Sequence, residues 1–130
     1  MSNILSLSVG LLLTDPENRL LMLHETDGWG IPAGKMEARD FLPSRAIRRE
    51  FTEETGAKLT GVLAIAGVTA ILRPQRLSVG ILYRTTGQIP RAKFFTIPQA
   101  LTFISNEQIR EPNYNLPALA AWITNSFIIS

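Results

Sequence analysis

The sequence contains no cysteine and a single histidine, His24. The first absence excludes disulfide scaffolds, zinc–thiolate sites, iron–sulfur clusters and thiol nucleophiles. The second leaves no His-based metal site and no Ser-His pair with a backup. Long apolar runs are missing too: Val9 to Leu13 with its neighbours Ile4 to Leu7 falls short of the roughly 20 residues that a membrane span needs. No basic region precedes an apolar stretch at the start, so no signal peptide is expected and the cytoplasm is the default location. What is present is 130 residues, 45% hydrophobic and 18% charged. A single domain over 1–130 can bury about two-thirds of the unfolded chain's surface, enough for a core without staples.

Acidic residues are unevenly spread. None occurs between residues 55 and 106, where six Lys/Arg stand, whereas residues 1–54 hold nine Asp/Glu against six Lys/Arg. The net charge of +2 hides this asymmetry. An ordinary mixed surface would account for it; so would an acidic metal-binding half facing a basic half that receives an anionic substrate.

The patterning predicts strands over 4–13 and 19–24, joined by the turn Thr14-Asp15-Pro16-Glu17-Asn18. Gly28 to Gly34 reads as a loop of definite shape. A helix is expected over 43–55, with Pro43 in its first turn, Ile47 and Phe51 inward, and Gly56 as the stop. Runs 60–72 and 76–86 suggest an antiparallel pair, followed by a short strand at 94–96, a brief helix at 98–104 and a longer one at 116–128. Strands mixed with three helical segments imply an α/β or α+β layered domain.

The chemistry concentrates between Gly34 and Ala57, GKMEARDFLPSRAIRREFTEETGA. At about 100° per residue, Glu50, Glu53 and Glu54 fall on one face of the helix while Phe51 points elsewhere. Like charges so placed destabilise a helix, and its carboxyl-terminal dipole opposes them as well. Arg49 can offset part of this by reaching Glu53 at i+4, and a hard divalent cation with oxygen ligands offsets it better. A solvated polar face is the plainer explanation of the three glutamates taken alone.

The ordered set is more specific. Gly34, Arg49, Glu50, Phe51, Glu53, Glu54 and Gly56 match the pattern G-x5-E-x7-R-E-U-x-E-E-x-G-U, so the chain resembles the Nudix hydrolases. The approach Trp29-Gly30-Ile31-Pro32, the strand bearing Arg84, and Phe94-Phe95-Thr96-Ile97-Pro98 leading into a helix extend the resemblance over nearly the whole chain. It implies an α/β/α sandwich around a mixed β-sheet. Three departures stand out: Asp40 replaces the first glutamate, eight residues rather than seven separate it from the arginine, and Ala57 ends the motif. The extra residue is expected among Asp40, Phe41 and Leu42, where a loop absorbs it for well under 1 kcal/mol. Arg49 to Gly56 then keep their register, and Asp40 is left without an assigned role.

The resemblance implies that Glu50 and Glu54 ligate Mg²⁺ or Mn²⁺, with Glu53 a further ligand or the group that activates water. It adds the Gly34 carbonyl as a metal donor and Arg49 as the residue that orients the glutamates. A base other than Glu53 would have to be Glu107 or Glu111, which also suit surface roles. Lys35 could meet a phosphate, Trp29 could stack on a base or simply pack, and Arg84 belongs to the basic half with Arg73, Arg76, Arg91 and Lys93. Without interleaved exposed aromatics these cations give a nucleic-acid platform little support. His24 fits a structural or solvent-facing role; Phe94, Phe95, Trp122 and Phe127 read as core or interface. Apolar residues in the C-terminal IIS tail would fit a homodimer.

The expected function is a metal-dependent pyrophosphohydrolase. Its substrate class is a nucleoside diphosphate linked to another group, a nucleoside triphosphate or a small organic diphosphate. The alternatives are a Nudix-fold nucleotide-binding or regulatory domain without turnover and, more weakly, a small RNA-associated module.

Overall fold

A computed structural model describes residues 4–25, 28–105, 120–121 and 123–124. Its centre is β1 (Ile4–Thr14), whose Val9, Leu11, Leu12 and Leu13 are buried in cores on both sides. At the end of β1 the Asp15 carboxylate closes the turn by accepting from the Glu17 and Arg19 backbone N–H groups at 3.0 and 2.8 Å. The chain returns as β2 (Leu20–Glu25).

Two short strands follow, β3 (Gly28–Gly30) and β4 (Ala33–Lys35), where the sequence predicted a loop. The physical reason is that this segment pairs with β2 through β3 and with β1 through β4. Backbone inserted between strands must find ladder partners; even Pro32 takes part, its carbonyl accepting from Leu11 N at 2.9 Å. Gly28 begins the segment with φ 123°, a conformation open to glycine.

After a 3-10 turn (Ala38–Asp40), helix α1 spans Pro43–Thr55, as expected from Pro43 and Gly56. Leu42 is the N-cap, Pro43 occupies the first turn, and Gly56 ends the helix with φ 76°. Then come β5 (Ala64–Arg73), β6 (Arg76–Thr86), β7 (Lys93–Phe95) and α2 (Ile97–Ser105). The fifth strand starts at Ala64 instead of residue 60 because the preceding carbonyls are engaged elsewhere. Arg48 binds those of Leu59 and Gly61 at 2.6 and 3.1 Å, and the Thr85 hydroxyl donates to that of Val62 at 2.8 Å.

The mixed sheet has the order β3-β2-β1-β6-β5, with β4 also on β1 and β7 on β2. Its central pair, β1 with β6, is parallel over eleven residues, from Ile4↔Arg76 to Thr14↔Thr86. Alternation along the strands splits the core in two. Val9, Leu11, Leu13, Leu21 and Tyr83 meet Ala46, Ile47 and Phe51 of α1 on one face. Leu12, Leu20, Met22 and Leu82 meet Ala100 of α2 and Ile123 on the other. This is the expected layered sandwich, of α+β class. Phe51 has no exposed surface, so Phe51→Ala is expected to cost about 3–5 kcal/mol, measurable by urea denaturation.

Of the helix expected over 116–128, residues 120–121 and 123–124 are described, and these are helical. Glu107, Glu111, Trp122, Phe127 and the IIS tail lie outside the described residues. Among the described residues no helix is long and apolar enough to cross a membrane.

Candidate active site

Helix α1 and strand β4 bring the box residues together. Gly34 pairs with Val9, so its missing side chain would point to the face that α1 covers. A Cβ built there would collide with the Glu50 carboxylate. Glycine thus lets that carboxylate lie directly against the strand. One residue earlier, the Ala33 N–H donates to Glu54 Oε1 at 3.0 Å. Two glutamates one helical turn apart are therefore seated on adjacent residues of one strand.

Arg49 organises the rest. Its Nε and Nη2 donate to Asp40 Oδ1 and Oδ2 at 2.7 and 2.9 Å, a bidentate pair. Its Nη1 reaches Glu50 Oε1 at 3.1 Å, both Glu53 oxygens at 3.2 Å and Glu37 Oε2 at 3.0 Å. Nη2 also donates to the Lys35 carbonyl at 3.1 Å. The expected i+4 contact between Arg49 and Glu53 is present, within a larger network.

Asp40, unassigned from the sequence, is the hidden anchor of this network. Its side chain is only 4% exposed and also accepts from Glu37 N at 2.7 Å. The Arg49 hydrogen bond, opposed by burial and helped by the Glu37 N–H, holds its carboxyl down at about 2. Phe41, one of the positions where the extra residue is expected, stands at φ 66° and 76% exposed, between the 3-10 turn and the N-cap. A non-glycine residue in so sparsely populated a conformation costs on the order of 1–3 kcal/mol. Across this turn both Asp40 oxygens meet the guanidinium.

A depressed carboxyl stabilises the fold above its unfolded value of 3.8, and the gain disappears as pH falls towards about 2. On the order of 1–2 kcal/mol should be lost across that window. Urea melts of wild type and Asp40→Asn are expected to differ at pH 5 and to converge near pH 2. A gap that persists at the acid end would rule out this ionic role.

Burial pushes the Glu50 carboxyl up, against the pull of Arg49 and with the repulsion of Glu53 and Glu37. A half-buried carboxylate crowded by others is a site that a cation would relieve. The oxygen-only donors Glu50, Glu53, Glu54 and the Gly34 carbonyl suit a hard ion such as Mg²⁺ or Mn²⁺ in kind. Among the described residues no three acidic or histidine groups form a ready cluster for a metal. An ion there would draw further oxygens from water and substrate, as Mg²⁺ ordinarily does.

Of the remaining candidates, Lys35 follows Gly34 within the box, while Arg84 and Trp29 lie outside it. Lys35 is exposed at the end of β4, beside Ser8 of β1. Arg84 is exposed on β6 and alternates with Tyr83, so it lies on the sheet face opposite α1. Trp29 packs: its ring stacks on Phe103 at 5.9 Å and meets Phe95 and His24 edge-on at 4.9 and 4.8 Å. Glu37 and Arg39, which sequence reasoning passed over, join the carboxylate network through contacts with Arg49 and Glu53. A polar residue three positions before Asp40, in the spacing of a capping box, was the available signal.

The profile of the NUDIX domain family matches residues 5–111. This chain belongs to the Nudix family. Solved Nudix-fold structures agree across its length. The MutT protein of Methanosarcina mazei Go1 is 19% identical with a TM-score of 0.70, covering 98% of this chain and 99% of that one. The ORF135 protein of E. coli is 16% identical with a TM-score of 0.69, covering 97% and 94%. The NUDIX domain of Shewanella oneidensis NrtR, solved with ADP ribose, is 14% identical with a TM-score of 0.67, covering 97% and 89%. The chain is also similar to the proposed hydrolase 111R of Invertebrate iridescent virus 3, 48% identical over 40 residues, which are 31% of this chain and 24% of that protein. The match thus spans about a quarter of that relative.

Proposed function

We propose that this Nudix-family chain is a divalent-metal-dependent pyrophosphohydrolase. Its substrate class is a nucleoside diphosphate linked to another group, a nucleoside triphosphate or a small organic diphosphate. The observation that carries this reading is the seating of Glu50 against Gly34 and of Glu54 on the Ala33 N–H, with Glu53 beside Arg49. Glu50, Glu53, Glu54 and the Gly34 carbonyl would hold Mg²⁺ or Mn²⁺. When bound, such an ion neutralises phosphate charge and lowers the pKa of a coordinated water. Arg49, fixed by Asp40, holds the Glu50 and Glu53 carboxylates in place, and Glu53, half exposed, would take the proton of the attacking water or serve as a further metal ligand. Water adds to phosphorus, the P–O–P bridge breaks, and a monophosphate leaves with the remainder of the substrate. Lys35, Arg84 and Trp29 are the proposed substrate contacts.

The test is phosphate and nucleotide release from ADP-ribose, nucleotide sugars, dinucleoside polyphosphates, dNTPs and small diphosphates with either ion. A Glu53→Gln control accompanies each. Cleavage that needs metal and disappears in the control is the expected result. A folded sample silent on every substrate with both ions would instead favour a nucleotide-binding domain without turnover. The observation on that side is that Arg49 already stands among Glu37, Glu50 and Glu53.

A further inference from the structure

Strand β5 forms one edge of the sheet, and among the described residues its only ladder partner is β6. An edge strand leaves alternate N–H and C=O groups without ladder partners, and proteins commonly blunt such edges with lysine or proline. Residues 64–72, AIAGVTAIL, hold no charge and no proline. After a register shift between Ile65 and Gly67, the ladder to β6 runs unbroken from Gly67↔Leu82 to Arg73↔Arg76. The same edge carries a line of apolar side chains. Ile65 pairs with Tyr83 and Val68 with Ile81, so both point to the sheet face on which α1 packs. Ala70 and Leu72 follow on that face by alternation. Helix α1 leaves all four uncovered: Ile65, Val68 and Leu72 are 62%, 59% and 82% exposed, and Ala70 is exposed too. At one end the apolar surface widens, where Leu72, Leu77 and Leu5 stand side by side across β5, β6 and β1, each exposed. Ala120 and Ile123 pack on the opposite face, with α2.

Open backbone beside exposed apolar side chains suits an extended, apolar and uncharged occupant, because residues 64–72 offer no charge for a partner to meet. Strand β5 itself fits that description. Two copies laid antiparallel about a two-fold axis at Ala70, the middle of the regular stretch 67–73, are self-complementary. Val68 of each copy then stands opposite Leu72 of the other, on the exposed face, and the two small Ala70 side chains meet on the axis. Charge agrees with this direction. At about 3.3 Å per residue, the Arg73-Pro74-Gln75-Arg76 turns of the two copies fall roughly 30 Å apart, well beyond the screening length of about 10 Å at 0.1 M salt. A parallel arrangement would set those arginines side by side.

We propose that β5 is the contact strand of a homodimer in which two sheets join edge to edge, antiparallel, through residues 67–73. The interface uses none of the box residues and is independent of the catalytic reading. Sedimentation equilibrium of the 130-residue chain, from about 5 µM to about 500 µM, tests it. Wild type is compared with Ala70→Lys, with Ala70→Glu and with an equimolar mixture of the two. The wild-type mass is expected to rise from 14.4 kDa towards twice that value. Each variant alone sets like charges against each other on the axis and should weaken association about tenfold or more. Position 70 is exposed in the single chain, so melting temperatures at the dilute end should stay close to wild type. The mixture sets lysine against glutamate and should recover most of the association, which a variant that merely misfolds could not do. A chain that remains at 14.4 kDa up to about 500 µM overturns the proposal. So does a dimer that neither variant weakens, or a mixture that associates no more tightly than its components.

Discussion

Glu53→Gln and Glu54→Gln are each expected to lower kcat by a factor on the order of 10²–10⁴ while the melting temperature stays close to wild type. The two substitutions remove one negative charge from different parts of the site. At Glu54 the amide oxygen of glutamine can still accept from the Ala33 N–H, so the 3.0 Å contact that ties α1 to β4 survives. At Glu53 the side chain is half exposed and pairs with Arg39 and Arg49, so the fold loses little more than solvent-screened ion pairs. What both variants lose is a carboxylate able to hold a cation or accept a proton. Steady-state rates with Mg²⁺ and Mn²⁺, read beside thermal melts, decide the matter. Wild-type turnover in either folded variant would remove that residue from the site.

Gly34→Ala should be the other severe change, and for a steric reason. The added methyl would overlap the Glu50 carboxylate, so either the strand or the glutamate has to move. Overpacking of this kind costs about 1–3 kcal/mol. Displacement of a site carboxylate by about 1 Å can cost on the order of 10²-fold in rate. The double variant Gly34→Ala/Glu50→Ala separates the two effects, because removing the glutamate makes room for the methyl. Stability is expected to recover in the double variant relative to Gly34→Ala, and activity is not. A single Gly34→Ala enzyme within a few-fold of wild type would show that Glu50 need not lie where it does.

The parts of this molecule legible in the sequence are those governed by local rules. Pro43 and Gly56 bracket α1 because proline suits a first turn and glycine a left-handed cap, and both act without distant partners. The spacing of Glu50, Glu53 and Glu54 then follows from helical geometry. Asp40 was opaque for the opposite reason. Its importance arises from a bidentate contact nine residues away, across a turn in which an exposed phenylalanine takes an unusual conformation. The strands β3 and β4 were hidden in a stretch of glycine and proline that locally spells a loop. They exist because β1 and β2 offer them partners. Arg48, which closes the segment before β5, carried no sequence signal beyond its charge.

The eleven-residue parallel pairing of β1 with β6 bears on how the chain acquires its shape. The strands at the centre of the sheet lie at opposite ends of the first 86 residues, with α1 between them. Closing so long a loop precedes any reward from the contacts it brings, which places the rate-limiting step in the meeting of these two strands. During synthesis the whole glutamate-bearing segment emerges before the strand that completes its floor. Until Tyr83 arrives, the Phe51 face of the helix has only Val9, Leu11, Leu13 and Leu21 of the earlier strands to pack on. Changes along β6 should accordingly slow folding more than changes of equal cost on the solvent side of α1.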